Sequence, residues 1–179
     1  MEEDIELVKK SLLKDTSAFE RLIDKYQKPI YNLGMRMFGN SDDAEDLTQN
    51  VFVKSWERME SYNPKYKFFS WLYRIAINES LNLSNREKKK ERIEFEERYQ
   101  ANASVEKEFD KNEQSINIHN ALLEVEIEYR TVIILRHYMD LSYAEIADLV
   151  SIPEKTVKSR LFSARQKLKD ILLRQGSLE

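Results

Sequence analysis

Positions 152 to 168 of the chain, IPEKTVKSRLFSARQKL, hold the side chains best suited to binding an anion. From Lys155 to Arg174 there are seven basic residues and a single acid, Asp170, although the whole chain has a formal net charge of −3. Exposed helices usually carry both signs, so a basic stretch in a mildly acidic chain suggests an anionic partner. Charge alone also fits an ordinary exposed helix, and that alternative stays open at this point.

The apolar residues of this stretch predict which side chains point outward. Four of them recur at helical spacing and are expected to face inward: Val157, Leu161, Ala164 and Leu168. The outward side chains are then able to bind phosphates or base edges: Lys155, Lys158, Ser159, Phe162, Ser163 and Gln166. A capping box at Ser142-Tyr-Ala-Glu145 begins a preceding helix, so the two helices form a helix-turn-helix, a motif that binds the major groove of DNA.

A second candidate site lies at positions 62 to 78, YNPKYKFFSWLYRIAIN, where aromatic residues alternate with Lys65, Lys67 and Arg74. Aromatic clusters are more often part of a core, and Phe68, Trp71 and Ile75 are expected to be buried. Aromatics and cations in a loop also provide stacking surfaces for unpaired bases. Two asparagines four residues apart share one helix face and could contact base edges: Asn78 and Asn82.

Helices must position both candidate sites. Helix-forming residues dominate the 179 positions, and only three Gly and three Pro occur, which argues against a turn-rich β architecture. Residues 91–115 are rich in carboxylates and poor in periodic apolar residues, a composition typical of a disordered segment. We therefore predict an all-α fold with two small helical domains, 1–90 and 116–179, joined by a flexible acidic linker.

Local signals place the first predicted helices. Ser17-Ala-Phe-Glu20 fits a capping box, so a helix is expected to begin at Ser17. Gly39 and Asn40 are expected to end it. The next helix begins with carboxylates close to its positive N-terminal pole: Asp42, Asp43, Glu45 and Asp46.

Composition also excludes several classes of function. The absence of cysteine excludes a disulfide framework and a thiolate metal site. The acidic N-terminus is unlike a signal peptide, and no stretch approaches the roughly 18 apolar residues of a membrane span, so we expect a soluble, cytoplasmic protein. Only His119 and His137 occur, without a glycine-rich phosphate loop, and we expect no catalytic residue, no metal site, no cofactor and no enzymatic activity.

Four stretches together resemble the bacterial RNA polymerase sigma factors of the extracytoplasmic-function (ECF) group in the sigma-70 family: DTSAFERLIDKY, DDAEDLTQNVFVKSW, FFSWLYRIAINESLN and YRTVIILRHYMDLSYAEIADLVSIPEKTVKSRLFSARQKL. The resemblance covers nearly the whole chain. It implies a protein that binds core RNA polymerase and directs promoter-specific transcription initiation. The first domain would bind the polymerase clamp and recognise the melted −10 element, and the second would read the −35 element as duplex DNA.

The resemblance implies three sets of site residues. The −35 set is Lys155, Lys158, Ser159, Arg160, Phe162, Ser163 and Arg165. The −10 set is Tyr62, Tyr66, Lys67, Phe68, Phe69, Arg74, Asn78 and Asn82. The polymerase-binding set is Asp43, Asp46, Gln49, Asn50 and Val53. Two positions depart from the family's pattern, because relatives often have a larger basic residue at Ser163 and Glu at Asn50.

The implied partners are core RNA polymerase, promoter DNA and, by family habit, a cognate anti-sigma factor. A stand-alone helix-turn-helix regulator is the alternative function. It would explain the second domain but would leave the aromatic loop and the acidic helix without a role.

Overall fold

The computed structural model describes residues 2–97 and 113–176. Every regular element in these two ranges is helical, which confirms the all-α prediction. The helices are α1 (Glu2–Leu12), α2 (Thr16–Phe38), α3 (Ser41–Glu57), α4 (Phe68–Glu97), α5 (Glu113–Glu124), α6 (Ile127–His137), α7 (Tyr143–Val150) and α8 (Glu154–Arg174), with a short 3₁₀ turn at Met59–Ser61. Within the described ranges, no helix combines the length and the apolar character that crossing a bilayer demands.

Side-chain capping groups mark the starts of α2, α3 and α7. The predicted capping box at Ser142 and Glu145 is present, with both reciprocal hydrogen bonds formed. The prediction that Ser17 caps α2 is wrong. The carboxylate of Asp15 accepts a hydrogen bond from the Ala18 amide at 3.2 Å, and Ser17 instead donates its hydroxyl to Asp15 at 2.7 Å. A carboxylate is the stronger acceptor at a positive helix end, and these hydrogen bonds lower the pKa of Asp15.

Helix α2 is the centre of the first half and packs against α1, α3 and α4. Its contact with α3 is the most extensive in the fold, and Gly34 makes it possible. A Cβ atom at Gly34 would lie 2.8 Å from the Ala44 Cα, so only glycine allows the two backbones to cross this closely. The side chains around the crossing are fully buried, among them Ile30, Met37 and Leu47.

Helix α8 organises the second half, where it packs against α5, α6 and α7. The inward residues predicted for α8 are buried at Val157, Leu161 and Ala164, whereas Leu168 is half-buried. They meet buried residues of α6 and α7: Val132, Leu135, Ile146 and Leu149.

The two halves pack against each other, α2 against α5 and α6, and α4 against α6 and α7. Arg130 of α6 lies in this contact. Its guanidinium donates hydrogen bonds to the carbonyl oxygens of Met37 at the end of α2, of Leu123 in the last turn of α5 and of Val125 just after α5. Burial lowers the pKa of Arg130 to about 10. Gly39, in the left-handed conformation that ends α2, adjoins the Leu123 side chain in the same contact.

The predicted linker, residues 91–115, overlaps the ends of two helices. Residues 91–97 belong to α4, and residues 113–115 belong to α5. The remainder of the predicted linker, 98–112, lies outside the described residues.

Replacing Arg130 with methionine should lower the free energy of unfolding by about 1–3 kcal/mol, because buried carbonyl oxygens lose their donors. Lys167→Met is the matched control, since it removes a cation whose ion pair with Glu126 (2.7 Å) remains about half exposed to solvent. Urea unfolding of the two variants measures the difference. Equal losses would contradict a structural role for the Arg130 hydrogen bonds.

Candidate nucleic-acid interface

The N-terminal half of α8 presents a polar, basic face to solvent. Lys155, Lys158, Ser159 and Phe162 are exposed, and Arg160 and Ser163 are half-buried beside them. Phe162 is 66% exposed and adds an apolar side chain to this polar face. The structure therefore brings together on one side of α8 most of the residues in the −35 set.

Lys158 has partners within the protein. Its ammonium lies 2.6 Å from the Glu154 carboxylate one turn earlier and 5.6 Å from the centre of the Tyr143 ring of α7. Both members of the ion pair are about half exposed, and pairs of this kind are weak in water. A DNA phosphate or base edge can therefore compete for Lys158 at small cost.

Arg165 lies further along α8 and contacts the end of α6. Its guanidinium donates to the Nε2 atom of His137 at 3.2 Å. Burial, together with the charges of Arg165 and Arg136, lowers the pKa of His137, which keeps the ring neutral and able to accept. Arg165 therefore joins α8 to the end of α6 in this structure.

The connection between α7 and α8 has the geometry of a helix-turn-helix. Ser151 ends α7 in the left-handed conformation (φ 54°), and the Ile152 amide donates back to the Ala147 carbonyl oxygen at 3.1 Å. Pro153 precedes the first residue of α8. The tight turn orients α8 across α7 and leaves the basic face of α8 free.

The aromatic loop, predicted over residues 62–69, ends two residues earlier than expected, because Phe68 and Phe69 form the first turn of α4. We keep the name for residues 62–69, which divide into buried and exposed parts. Tyr62 and Phe68 are buried, with their ring centres 5.5 Å apart, and Phe69 is half-buried against Tyr73 at 4.2 Å. Tyr66 is 65% exposed and Lys67 is also exposed. In this arrangement Tyr62 and Phe68 pack in the interior beneath the loop, and Tyr66 and Lys67 are the members of the −10 set that the loop exposes to solvent.

Helix α4 continues from this loop with a row of exposed polar residues. Arg74, Asn78 and Asn82 are spaced four residues apart and are all exposed, so they lie on one face. An ion pair of 2.5 Å between Lys54 and Glu79 joins α3 to α4 beside this row. The structure therefore places the α4 members of the −10 set in line with the aromatic loop.

Helix α3 presents a separate face that mixes an acid, amides and an apolar side chain. Asp46, Gln49, Asn50 and Val53 are exposed, and Val53 is 56% exposed. Asp43 is half-buried and accepts a hydrogen bond from the amide of the cap residue Asn40. Asp43 therefore helps to cap α3, and the rest of the polymerase-binding set forms the open surface.

Sequence analysis did not identify Arg130, Asp4 or Tyr26 among the residues that support these faces. Asp4 and Tyr26 lie on different helices and form a buried hydrogen bond of 2.9 Å. The sequence signal for Asp4 would have been an acidic residue on the apolar face of a short amphipathic N-terminal helix. No local pattern identifies Tyr26 as its hydrogen-bond partner.

Comparison with known proteins agrees with this geometry. Residues 22–90 match the family described as Sigma-70 region 2, and residues 115–168 match Sigma-70, region 4. The chain belongs to the sigma-70 family of sigma factors. The first match contains the aromatic loop and the α3 face, and the second contains the helix-turn-helix.

Relatives place this sigma factor in the ECF group. It is 31% identical to the ECF RNA polymerase sigma factor SigW of Bacillus subtilis, over 87% of this chain and 89% of the relative. It is 32% identical to the RNA polymerase sigma-H factor of Pseudomonas aeruginosa, over 92% and 91%. The fold is similar to that of the sigma factor RpoE from Bartonella quintana, solved in complex with the anti-sigma factor NepR (TM-score 0.69, 22% identity, 86% and 96% covered).

The family prediction is thus confirmed. This sigma factor directs promoter-specific transcription initiation by RNA polymerase and is not an enzyme.

The geometry of α8 predicts different roles for two lysines. Lys155→Ala should weaken promoter binding by the holoenzyme equally for all −35 variants and reduce the salt slope by about one unit, as expected for a phosphate contact. Lys158→Ala should cost about 1–3 kcal/mol on the preferred −35 sequence and relax the preference at one base pair. Affinities for single-base variants at two salt concentrations measure both effects.

Lys169→Ala is the control for charge, because Lys169 is exposed on the same helix beyond the predicted contact. Lys169→Ala should change the base preference less than Lys158→Ala does and the salt slope less than Lys155→Ala does. A uniform loss for Lys158→Ala across all promoter variants would contradict its role in base reading.

Proposed function

We propose that the two halves of this sigma factor read promoter DNA in different states. The second domain, 116–179, would bind the −35 element as duplex through the basic face of α8. The first domain, 1–90, would bind the melted −10 element through the aromatic loop and the α4 row. One observation carries the proposal: the molecule has two separate exposed polar surfaces. The first is the basic face of α8, and the second consists of Tyr66 and Lys67 followed by the row of Arg74, Asn78 and Asn82.

The chemistry of the two sites suits the two states of DNA. A helix with exposed lysines and a serine near its N-terminus matches major-groove readout. An exposed tyrosine beside a lysine suits stacking with an unpaired base and attraction to the backbone. Melting exposes those bases, so the first site gains its partner when the promoter opens.

We further propose that the α3 face binds core polymerase. Val53 provides an exposed apolar centre, and Asp46, Gln49 and Asn50 surround it with polar groups that can bind a basic surface. Apolar centres with polar rims are typical of protein interfaces. The proposed site of action is the cytoplasm, where transcription takes place.

An anti-sigma factor is the third proposed partner. The support is the structural relative RpoE, which was solved with the anti-sigma factor NepR. Recovery of this sigma factor from cells in a complex that lacks polymerase subunits would support the proposal. Recovery only with polymerase, or alone, would count against it.

Transcription by core polymerase from a library of genomic promoters, with and without this protein, tests the function directly. The protein should give new transcripts that share a −35 and a −10 sequence. Asn78→Ala should reduce transcript yield on duplex templates, and its effect on templates already melted at −10 separates DNA opening from base reading. Transcripts that share only a −35-like sequence would favour the stand-alone regulator.

For the α3 face, Asp46→Arg should weaken binding to core polymerase about tenfold or more, because a like charge replaces an attractive one at the interface. Binding of polymerase to labelled sigma factor measures the change. Asp24→Arg on α2 is the matched control, since it makes the same charge change at an exposed acid away from α3. Equal affinities for the Asp46 and Asp24 variants would mean that the α3 face does not bind polymerase.

A further inference from the structure

Helix α1 contributes a buried carboxylate that neither the sequence patterns nor the matched family regions include. Asp4 is 7% exposed. Its carboxylate accepts a hydrogen bond from the Lys25 ammonium at 2.6 Å and another from the Tyr26 hydroxyl at 2.9 Å. A buried carboxylate is costly unless it is paired and hydrogen-bonded, and the two partners on α2 meet that requirement.

Tyr26 connects Asp4 to the aromatic loop. Its ring centre lies 5.6 Å from that of Phe68 and 6.3 Å from that of Phe69. Burial and the hydrogen bond to Asp4 raise the pKa of Tyr26, so its hydroxyl remains a neutral donor. The hydrogen bond to Asp4 and the ring contacts with Phe68 and Phe69 together fix the orientation of the Tyr26 side chain.

At the other end of the loop, Tyr62 joins the aromatic cluster formed by Tyr26, Phe68 and Phe69. Phe68 packs against Tyr62 with ring centres 5.5 Å apart, and the Tyr62 hydroxyl donates to the Tyr66 carbonyl oxygen at 2.8 Å. A continuous series of contacts thus runs from Asp4 through Tyr26, Phe68 and Tyr62 to the backbone of the exposed Tyr66.

We infer that Asp4 is a positioning residue for promoter recognition: by orienting Tyr26 beneath Phe68 and Phe69, it sets the position at which the loop presents Tyr66 and Lys67 to unpaired DNA. The inference rests on the proposed function of the loop at the −10 element. Recognition sites need their supporting side chains held to within a fraction of an ångström, so loss of the support weakens binding without removing a contact.

Other contacts anchor α1 to α2 independently of Asp4. Leu7 and Val8 are buried, and Glu3 pairs with Arg21 at 3.1 Å and with Lys25 at 3.7 Å. Asp4→Asn therefore keeps the shape of the side chain and most of the anchoring of α1, while one of its two hydrogen-bond partners loses its acceptor. Tyr26→Phe keeps the ring and removes only the hydroxyl.

The experiment measures binding of the holoenzyme to a promoter fork whose −10 non-template strand is unpaired, and to a duplex that carries only the −35 element. Asp4→Asn should weaken binding to the fork about fivefold or more and leave binding to the duplex and to core polymerase unchanged. Tyr26→Phe should have a similar effect. Glu3→Gln is the matched control, because it makes the same charge change on α1 without contacting the aromatic cluster.

The double variant that combines Asp4→Asn with Tyr26→Phe distinguishes a positioning role from general destabilisation of the fold. If Asp4 acts through Tyr26, the double variant should bind the fork no more weakly than either single variant. Fluorescence of Trp71, read in a Trp56→Phe background, should also shift in Asp4→Asn, because Trp71 packs against Phe68 and Tyr62. Additive losses, or equal losses of fork, duplex and polymerase binding, would overturn the inference.

Tyr66→Ala distinguishes failure of this inference from failure of the proposed function. If Tyr66→Ala weakens fork binding and Asp4→Asn does not, the positioning role of Asp4 is wrong and the function of the loop stands. If Tyr66→Ala leaves fork binding unchanged, the loop does not read the −10 element, and the inference is overturned with it.

Discussion

The backbone crossing of α2 and α3 at Gly34 and Ala44 is the constraint on which the rest of the structure depends. Because a Cβ atom at Gly34 would lie 2.8 Å from the Ala44 Cα, no larger residue permits this approach without movement of a helix. The crossing buries one side of α3 and leaves Asp46, Asn50 and Val53 on its open side. Helix α4 packs on both helices, so the same crossing directs the row that follows the aromatic loop.

The distribution of charge follows from this arrangement. Acidic side chains lie near the start of α3, and basic ones lie on the exposed side of α8, although the net charge of the chain is only −3. The acidic surface on α3 and the basic surface on α8 are thus proposed to bind different partners, polymerase and DNA. The interior that joins the halves contains the Arg130 guanidinium, which donates to the backbone of α2 and to carbonyl oxygens at the end of α5 and just after it. Hydrogen bonds to fixed carbonyl oxygens give this contact a defined geometry.

Sequence reasoning succeeded where the determining interactions are local. The capping box at Ser142 and Glu145 and the inward spacing of Val157 and Leu161 depend on residues within one or two helical turns, and the structure confirms them. It failed where distant residues decide. Asp15 replaces Ser17 as the cap of α2, α1 was not predicted, and the Arg130 hydrogen bond to Met37 spans 93 positions. The expected burial of Phe68 is confirmed, but its contact with Tyr26 joins residues that no periodic pattern connects.

The central claim is that each half contacts DNA in a different state, and photocrosslinking from two exposed aromatic positions tests it most directly. A photoreactive phenylalanine analogue at position 66 or 162 replaces rings of nearly equal exposure, 65% and 66%. In holoenzyme–promoter complexes, position 162 should crosslink near −35 on closed and open promoters alike, and position 66 should crosslink the −10 region only where the strands are separated. Crosslinking from position 66 to fully duplex DNA with equal yield, or from both positions to one DNA segment, would contradict the account.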